Sequence, residues 1–318
     1  MVCIMCDSKK YDISIVICTY NRSALLKKAL DSVLNINTRP EISYEVIVID
    51  NNSTDDTQSV VKSNEPKFDG RLKCFIELNK GLSNARNRGI KESEGGIIVF
   101  TDDDVKVDRD WILSIYDAFE KYQCDALGGK VLPVYYENTP LWIKSNADLL
   151  IGPIVAHDCG EETVRYDTSR HLPFVGANMA FKKHVFKDIG GFLTSIGAGK
   201  NTMGEDTEYF HRVNKKFKVF YCGKSVVWHP VEKERMKIKY IAQWNYKLGR
   251  YRFLIDEKGK NEEQLVYISG IPRYLIWEII KLGVKSFIKI FDKREFLKNW
   301  TRLFEKMGRA SVMMRSSR

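Results

Sequence analysis

The chain has 318 residues, of which 44% are hydrophobic and 29% are charged, a composition typical of a globular protein with a substantial core. It contains no run of about 18 apolar residues, and residues 1–10 lack the apolar centre of a signal peptide, so we expect a cytoplasmic protein without a membrane span. The seven cysteines are an odd number, which favours reduced thiols over a disulfide framework. Cys3 and Cys6 form a CxxC pair, but no second pair at zinc spacing accompanies it, which disfavours a zinc site there.

The net charge of +10 is concentrated in the C-terminal part of the chain. Residues 231–318 contain 21 basic and 10 acidic residues, a net charge of +11, which leaves a net charge of −1 for residues 1–230. A basic segment of this kind binds an anionic partner such as a membrane surface or a nucleic acid. No nucleic-acid-binding motif accompanies the segment, so nucleic acid is not the expected partner.

Apolar strands alternate with amphipathic helices in the N-terminal part. Residues 13–18 and 44–49 are predicted strands, each followed by a polar segment and a helix, the first capped by Ser23 and the second starting near Asp55. Residues 72–78 form a third predicted strand, which another helix follows. This alternation predicts an α/β domain with a mainly parallel central sheet flanked by helices, whose functional groups gather at the carboxyl ends of the strands.

Three consecutive carboxylates, Asp102 to Asp104, follow the fourth predicted strand at residues 97–100. Like charges so close together repel unless a cation or hydrogen-bond donors compensate them, and a divalent cation shared with substrate phosphates is one solution. The alternative is an acidic turn that caps the next helix. In an extended segment, Asp102 and Asp104 point to one side and Asp103 to the other.

Two common phosphate-binding motifs are absent from the sequence. No GxGxxG follows the first strand, and no GxxxxGK[ST] occurs anywhere. The sequence therefore disfavours a dinucleotide oxidoreductase and a P-loop nucleotidase. Phosphates bound at this sheet would need a metal ion for neutralisation, which again indicates Asp102 and Asp104.

Two further candidate segments lie in the second half of the chain. Residues 191–204 are rich in glycine and predict a mobile loop that closes over a substrate. They lead into Glu205 and Asp206 at the start of a predicted helix, where acidic residues are also favoured by the helix dipole alone. Residues 226–230 form a predicted strand end that contains His229, for which a structural role is the alternative to a ligand role.

Residues 125–175 contain a predicted strand and then a stretch with prolines and aromatic residues. Such a stretch either binds a ligand on its aromatic faces or packs on the core as a hydrophobic flap, and the second interpretation is favoured for Trp142. The next predicted strand, at residues 174–181, contains Asn178. This asparagine either hydrogen-bonds a ligand or forms a turn.

Four short motifs lie between residues 16 and 104. They are Val-Ile-Cys-Thr-Tyr-Asn-Arg at 16–22, Val-Ile-Val-Ile-Asp-Asn-Asn-Ser-Thr-Asp at 46–55, Asn-Lys-Gly at 79–81 with Ala-Arg-Asn at 85–87, and Thr-Asp-Asp-Asp at 101–104. In this order they resemble the GT-A glycosyltransferases of family 2, and the match extends through Gly-Glu-Asp at 204–206. The resemblance implies a Rossmann-like GT-A fold, a nucleotide-diphosphate-sugar donor, a divalent metal ion such as Mn²⁺ or Mg²⁺, and inversion at the anomeric carbon. UDP is the nucleotide expected from its frequency in the family, with GDP and dTDP as alternatives.

The resemblance also assigns roles to individual residues. It implies that the nucleotide sugar is bound by Thr19, Tyr20, Asn21, Arg22, Asp50, Asn52, Arg86, Asp102, Asp103 and Asn178. It further implies metal ligands at Asp104, Asp102 and His229, and a catalytic base at Asp206 with Glu205 as its orienting neighbour or as a second candidate. Inverting transfer needs such a carboxylate to deprotonate the acceptor hydroxyl as it attacks.

The motifs end near residue 235, and we expect a catalytic domain at 1–235 and a basic, amphipathic helical region at 236–318. A helix predicted after Ile271 places Lys281, Lys285 and Lys289 on one arc and apolar residues on another: Ile276, Ile279, Ile280, Val284, Phe287, Ile288 and Phe291. This pattern suits a helix that lies in the interface of an anionic membrane. The alternative is a helix that packs on the catalytic domain and leaves its lysines in water.

Together, these features predict a metal-dependent, inverting hexosyltransferase that moves a sugar to a hydroxyl acceptor. The expected acceptor is a lipid-linked glycan in cell-surface polysaccharide or glycolipid assembly, with the protein peripheral at the inner face of the cell membrane. One alternative is transfer to a protein or a soluble sugar. Another is an inactive GT-A-like scaffold, which the presence of both the Asp pair and the Glu-Asp pair disfavours.

Overall fold

The structure, a computed structural model, describes residues 10–197, 203–256 and 266–316. Cys3, Cys6 and part of the predicted glycine-rich loop lie outside the described residues. The described chain forms two compact units. The first unit comprises residues 10–132, 156–197 and 205–230, and the second comprises residues 133–155, 203–204, 231–256 and 266–316.

Strands and helices alternate along the described residues, as predicted. The strands are β1 (Tyr11–Thr19), β2 (Tyr44–Asp50), β3 (Leu72–Ile76), β4 (Gly95–Asp102), β5 (Lys106–Val107), β6 (Ala126–Val134), β7 (Thr163–Arg165), β8 (Met179–Lys182), β9 (Val219–Pro230), β10 (Tyr267–Ile268) and β11 (Ile271–Pro272). The α-helices are α1 (Ser23–Leu34), α2 (Thr57–Asn64), α3 (Leu82–Glu92), α4 (Trp111–Tyr122), α5 (Leu141–Lys144), α6 (Ile151–Ile154), α7 (Lys183–Ile189), α8 (Glu205–Lys216), α9 (Ile238–Asp256), α10 (Arg273–Ile288) and α11 (Lys293–Ser316). Short 3-10 helices occupy Glu65–Phe68, Ala147–Leu149 and Lys233–Met236.

A mixed sheet of nine strands, counted over the described residues, organises the first unit. Its strand order is β3-β2-β1-β4-β8-β6-β9-β5, and β7 also pairs with β9. The neighbours β3, β2, β1 and β4 are parallel to one another, whereas β8 pairs antiparallel with β4 and β6, and β9 pairs antiparallel with β5 and β7. The predicted parallel sheet therefore corresponds to β1–β4, and the other strands add an antiparallel half.

The register of the parallel strands brings their polar ends to one edge. Thr19 pairs with Asp50, and Cys18 pairs with Asp102. All seven residues of β2 are buried, as expected for an inner parallel strand that is covered on both faces. The apolar strands thus form the core, and the side chains that follow them lie at the carboxyl edge of the sheet.

Asp55 joins the loops that follow β1 and β2. One of its carboxylate oxygens accepts a hydrogen bond from the Ser23 backbone N–H at 2.9 Å, and the other accepts one from the Thr57 backbone N–H at 3.1 Å. Hydrogen bonds from Thr57 and Ser23 lower the pKa of Asp55 to about 2. The prediction that Ser23 caps α1 is wrong, because the cap position is Arg22, which makes no side-chain capping bond.

The second unit contains the C-terminal helices. Helix α11 packs along α9 and also against α10. A Cβ atom at Gly249 would lie 1.8 Å from the Glu305 carbonyl oxygen, and one at Gly308 would lie 2.0 Å from the Tyr246 carbonyl oxygen, so glycine permits the close approach of α9 and α11. The helix predicted to run through Phe291 ends at Ile288, and α11 was not predicted as a separate helix.

The two units differ from the predicted domains in three described segments, residues 133–155, 203–204 and 231–235. The boundary expected after residue 235 lies close to the observed change of unit after Pro230. Residues 133–155, which the sequence placed in the catalytic domain, belong instead to the second unit, and Trp142 of this segment is half-buried. No helix among the described residues has both the length and the apolar content that a membrane span requires.

Candidate active site

The Asp triplet lies at the end of β4. Asp102 is the last residue of that strand, and Asp103 and Asp104 form the turn before β5. Helix α4 begins only at Trp111. The triplet is therefore not a helix cap, and the capping alternative is excluded.

Asp102, Asp104 and His229 each offer one ligand atom, and these atoms lie within 4.8 Å of one another. His229 reaches this position because the end of β9 pairs with β5, and its Nε2 atom is 3.4 Å from Asp104 Oδ1. The Nδ1 atom is 3.0 Å from the Pro230 carbonyl oxygen. Since a carbonyl oxygen only accepts hydrogen bonds, Nδ1 donates to it, and Nε2 is the ring atom that could bind a cation. This donor set fits a divalent cation such as Mn²⁺.

Asp103 is not part of this three-residue cluster, and it forms a turn with Asp104 instead of the extended segment that the sequence predicted. Its Oδ2 atom accepts a hydrogen bond from the Thr19 hydroxyl at 2.6 Å, and its Oδ1 atom accepts one from Arg22 at 2.9 Å. Arg22 also donates to Asp104 Oδ2 at 2.8 Å. Burial raises the pKa of Asp103 to about 7, although the charge of Arg22 and the Thr19 hydrogen bond oppose this shift. Asp103 thus contacts both Thr19 and Arg22, and Arg22 orients Asp104.

A buried arginine links the triplet to the second acidic pair. Arg86 of α3 is 3% exposed, donates to Glu205 Oε1 at 2.9 Å and lies 3.8 Å from Asp102 Oδ1. The Phe192 ring centroid is 5.3 Å from the guanidinium carbon. Gly176 leaves room for this side chain, since a Cβ atom there would lie 2.1 Å from Arg86 Nη2. The Arg86 guanidinium group therefore contacts both Glu205 and Asp102 and links the two acidic segments.

Glu205 and Asp206 begin α8 and lie in different environments. Glu205 is buried, and burial together with the charge of Asp206 raises its pKa, while Arg86 opposes the shift. Asp206 is only partly buried. Its Oδ2 atom accepts a hydrogen bond from the Gly176 backbone N–H at 2.9 Å, and its Oδ1 atom accepts one from the Thr207 backbone N–H at 2.8 Å. Asp206 is therefore the more accessible carboxylate, and two backbone amides orient it.

The charges of this cluster favour a cation. Burial raises the pKa of Asp102, although Arg86 opposes the shift. Two guanidinium groups are shared among five carboxylates, those of Asp102, Asp103, Asp104, Glu205 and Asp206. Such an excess of negative charge at a strand-end site is compensated by a divalent cation.

The other predicted nucleotide-binding residues lie at the end of β2 and in the loops after β1 and β2. Asp50 is buried at the end of β2, whereas Tyr20 and Asn52 are exposed. Asn21 accepts a hydrogen bond from the Thr54 backbone N–H at 2.7 Å, which joins the two loops. Asn21 and Asn52 both have left-handed backbone conformations, with φ of 53° and 65°, which asparagine adopts more readily than most residues.

Asn178 has no free hydrogen-bonding group to offer a sugar. It is 1% exposed, and its amide nitrogen donates to the carbonyl oxygens of Lys130 at 3.0 Å and Ser225 at 2.8 Å. Its amide oxygen accepts from the Trp111 indole N–H at 2.9 Å and from the Ser225 hydroxyl at 3.1 Å. All donors and acceptors of the amide are therefore used within the protein. The structure favours a structural role for Asn178 over the predicted contact with a sugar or acceptor.

Asn51 positions a site loop and was not among the predicted site residues. It lies within the motif at 46–55, but its role depends on partners far along the chain. Its amide makes three hydrogen bonds of 2.8 Å to the backbone of residues 77–81. These bonds fix the loop that leads into α3, the helix that carries Arg86.

Asn87, the neighbour of Arg86, fixes the start of the glycine-rich loop and was also missed. Its amide donates to the Phe192 carbonyl oxygen at 2.9 Å and accepts from the Phe192 backbone N–H at 2.8 Å. The Ser83 hydroxyl donates to the Ile196 carbonyl oxygen at 3.1 Å. Residues 191–197 thus contact α3 through these hydrogen bonds, and residues 198–202 lie outside the described residues.

The family described as glycosyl transferase family 2 matches residues 14–190, more than half of the chain. The chain belongs to glycosyl transferase family 2. This family 2 glycosyltransferase is an enzyme, as its motifs predict. The matched range includes the Asp triplet and Arg86, whereas Glu205, Asp206 and His229 follow it.

Known proteins resemble this family 2 glycosyltransferase over most of its length. The glucosyl-dolichyl phosphate glucuronosyltransferase of Haloferax volcanii is 24% identical over 296 residues, which cover 88% of this chain and 91% of that protein. A mannosyltransferase from Pyrobaculum calidifontis, solved with GDP-Man and Mn²⁺, has a TM-score of 0.62 at 18% identity and covers 98% of this chain and 89% of its own. S. aureus TarS 1–349, solved with UDP-GlcNAc, has a TM-score of 0.57 at 15% identity and covers 93% of this chain and 91% of its own. These likenesses confirm the predicted α/β GT-A fold.

Proposed function

We propose that this enzyme transfers a sugar from a nucleotide-diphosphate donor to a hydroxyl group of an acceptor, with inversion at the anomeric carbon. The observation that carries the proposal is the position of Arg86 between Asp102 and Glu205. This contact supports the proposal because it links Asp102, a candidate metal ligand, to Glu205, which precedes the candidate base Asp206 in the chain. Both requirements of the reaction are met by one cluster of side chains.

Asp102, Asp104 and His229 are the residues that would hold the divalent ion. When bound, such an ion supplies Lewis-acid stabilisation of the negative charge that develops on a leaving diphosphate. Arg22 keeps Asp104 oriented through its hydrogen bond to Oδ2, which leaves Oδ1 on the side of His229. The strand-end residues Thr19, Tyr20, Asn21, Arg22, Asp50, Asn52, Arg86, Asp102 and Asp103 form the proposed nucleotide-sugar site. UDP is the proposed nucleotide and GDP the alternative, since the two structural neighbours were solved with UDP-GlcNAc and GDP-Man.

Asp206 is the proposed catalytic base. Its carboxylate takes the proton of the acceptor hydroxyl while that oxygen bonds to the anomeric carbon and the bond from this carbon to the diphosphate oxygen breaks. A single displacement of this kind inverts the anomeric carbon. The backbone N–H groups of Gly176 and Thr207 orient the base, and Glu205, paired with Arg86, is its orienting neighbour.

The proposed acceptor is a lipid-linked glycan, in cell-surface polysaccharide or glycolipid assembly at the inner face of the membrane. The proposal is supported by the Haloferax volcanii relative, which is named for a dolichyl-phosphate-linked sugar. It is also supported by the positive charge of residues 231–318, since the inner leaflet is anionic. Transfer to a protein or to a soluble sugar is the alternative, and efficient transfer to a water-soluble acceptor without lipid would favour it.

The donor site is tested by thermal unfolding with UDP, GDP, CMP and dTDP sugars, each in Mn²⁺ and in EDTA. We expect one nucleotide to raise Tm only with Mn²⁺, because a ligand at 100 times its Kd stabilises a protein by about 2.7 kcal/mol. Asp104→Asn should abolish this shift. Asp206→Asn should keep the shift and lower the transfer rate about 100-fold to 10,000-fold, the usual contribution of a general base.

The two variants serve as controls for each other. A metal-dependent shift that survives in Asp104→Asn would remove this residue from the metal site. Normal turnover by Asp206→Asn would assign the base to Glu205 or to another group. The absence of any shift, for every nucleotide and with the metal present, would contradict the proposed donor site.

A further inference from the structure

Helix α10 and the turn after it expose a continuous row of apolar side chains. We call these six residues the apolar row: Trp277, Ile280, Val284, Phe287, Ile288 and Phe291. Apart from the neighbours Phe287 and Ile288, successive members are three or four positions apart, so the five within α10 lie along one side of the helix, and Phe291 follows in the turn. Phe287 is 79% exposed and Phe291 is 97% exposed. Apolar patches of this kind on a protein surface mark interaction sites.

The other side of α10 is held by packing within the second unit. Leu275 is buried with Ala310 and Met313 of α11 in a small core. Glu278 of α10 forms an ion pair of 2.8 Å with Lys306 of α11. The helix is therefore fixed on α11, and its packing leaves the apolar row turned toward solvent.

Three lysines accompany the apolar row. Lys281, Lys285 and Lys289 are all exposed, and within the described part of the chain none of them forms an ion pair. Glu278, the acidic residue of α10, is already paired with Lys306. The three lysines thus add unpaired positive charge beside the apolar row.

We propose that the apolar row and its three lysines bind the surface of an anionic lipid bilayer. Apolar side chains of such a helix enter the boundary between headgroups and acyl chains, and tryptophan is favoured at this depth. The three ammonium groups then face the anionic headgroups. A second copy of the chain is a poorer occupant, because it would bring the same three positive charges to the contact.

This inference rests on the membrane location in the proposed function. Vesicle binding is measured without donor or acceptor, so a negative result here is distinguishable from a failure of the enzymatic proposal. The full chain is sedimented with vesicles of phosphatidylcholine alone and with vesicles containing about one third phosphatidylglycerol. We expect the protein to sediment with the anionic vesicles and to stay largely in the supernatant with the neutral ones.

Two sets of variants separate the apolar and the charged contributions. Phe287→Ser with Phe291→Ser should weaken vesicle binding about 100-fold, because each side chain loses the transfer free energy of a buried aromatic ring. Lys281→Gln, Lys285→Gln and Lys289→Gln together should weaken it by a similar factor, since each lysine near an anionic surface contributes about fivefold. All five side chains are exposed, so these variants should unfold at the wild-type Tm.

Matched controls alter equally exposed residues elsewhere. Leu78 is 72% exposed in the first unit, and Leu78→Ser should leave vesicle binding unchanged. The charge control is the triple variant Lys27→Gln, Lys28→Gln and Lys62→Gln, at exposed lysines of α1 and α2. This control removes the same net charge as the α10 triple variant and should lower vesicle binding much less.

Tryptophan fluorescence locates the contact. Trp277 is the one exposed tryptophan among the six in the sequence, all of which are described. Vesicles with brominated acyl chains should quench part of the fluorescence of the wild-type protein, and Trp277→Phe should remove the quenched part. Quenching that persists in Trp277→Phe would place the contact elsewhere.

Three results would overturn the proposal. The first is no sedimentation with anionic vesicles, and the second is wild-type sedimentation by both α10 variants. The third is a dimer in sedimentation velocity that the Phe287→Ser, Phe291→Ser variant loses while vesicle binding is absent. That last result would assign the apolar row to a second copy of the chain.

Discussion

Two arginines hold the acidic side chains of the site. Arg22 donates to Asp103 and Asp104, and Arg86 donates to Glu205 and lies beside Asp102. A guanidinium group presents several N–H donors in a planar fork, so one side chain can hold two carboxylates in fixed directions. Lysine, a compact point charge on a flexible stem, does not provide this geometry.

Arg86→Lys should therefore lower kcat by about 10-fold to 100-fold, the usual effect of losing a group that orients a metal ligand. The ammonium keeps the positive charge but does not hold Glu205 and Asp102 together. Steady-state kinetics at saturating Mn²⁺ measure the effect, with Arg88→Lys as the control, because Arg88 is on the same helix and pairs with Glu92. A rise in the donor KM with unchanged kcat would instead indicate that Arg86 contacts the nucleotide directly.

A buried histidine fixes the connection between β6 and β7. The backbone of His157 makes hydrogen bonds of 2.9 and 2.7 Å with Val131 of β6, and its ring Nε2 atom is 2.7 Å from the Tyr166 hydroxyl oxygen. The rings of His157 and Tyr166 stack. Burial lowers the pKa of His157 from 6.5 to about 4, because the charged imidazolium is disfavoured away from water.

This shift predicts a dependence of stability on pH. Below pH 6.5 the unfolded chain binds a proton at His157, whereas the folded chain does so only near pH 4. The free energy of unfolding should therefore fall as pH drops through this window, by about 1.4 kcal/mol per pH unit and about 3 kcal/mol in total. Urea unfolding at several pH values measures the slope, which should be smaller in His157→Gln than in the wild-type protein. His184→Gln, at a half-exposed histidine, is the control, and equal slopes in wild type and His157→Gln would contradict the prediction.

At the scale of the whole molecule, charge separates the two parts of the chain. Residues 231–318 carry a net charge of +11, and residues 1–230 carry a net charge of −1. Exposed charges are screened by salt, whereas buried ion pairs are screened much less. Binding of an anionic partner to the C-terminal part should therefore weaken more with ionic strength than binding of a ligand to the buried acidic site.

Raising the salt concentration from about 50 mM to about 500 mM should weaken binding to anionic vesicles at least tenfold. The Mn²⁺-dependent thermal shift with the donor should change less, since the carboxylates of the site are largely buried. Both quantities are measured on the same preparation across a salt series. Vesicle binding that does not depend on salt would mean that the apolar row acts without the lysines.

Much of the fold was predictable because its signals are local. A run of apolar residues predicts a buried strand from its own composition, and β1 to β4 lie where such runs occur. The antiparallel half of the sheet was not predictable in the same way, because β7 and β8 are short and are joined by long connections. The position of α10 shows the same limit, since its sequence pattern is compatible with more than one packing partner.

The sequence by itself determined the family and the polar strand ends, because each of these depends on neighbouring residues or on short motifs. Only the tertiary structure decided which distant groups meet. The pairing of β5 with β9 brings His229 to Asp104, and Arg86 of α3 meets Glu205 at the start of α8. Packing also turned Asn178 inward to Trp111 and Ser225, since a buried amide must find its partners wherever the fold supplies them.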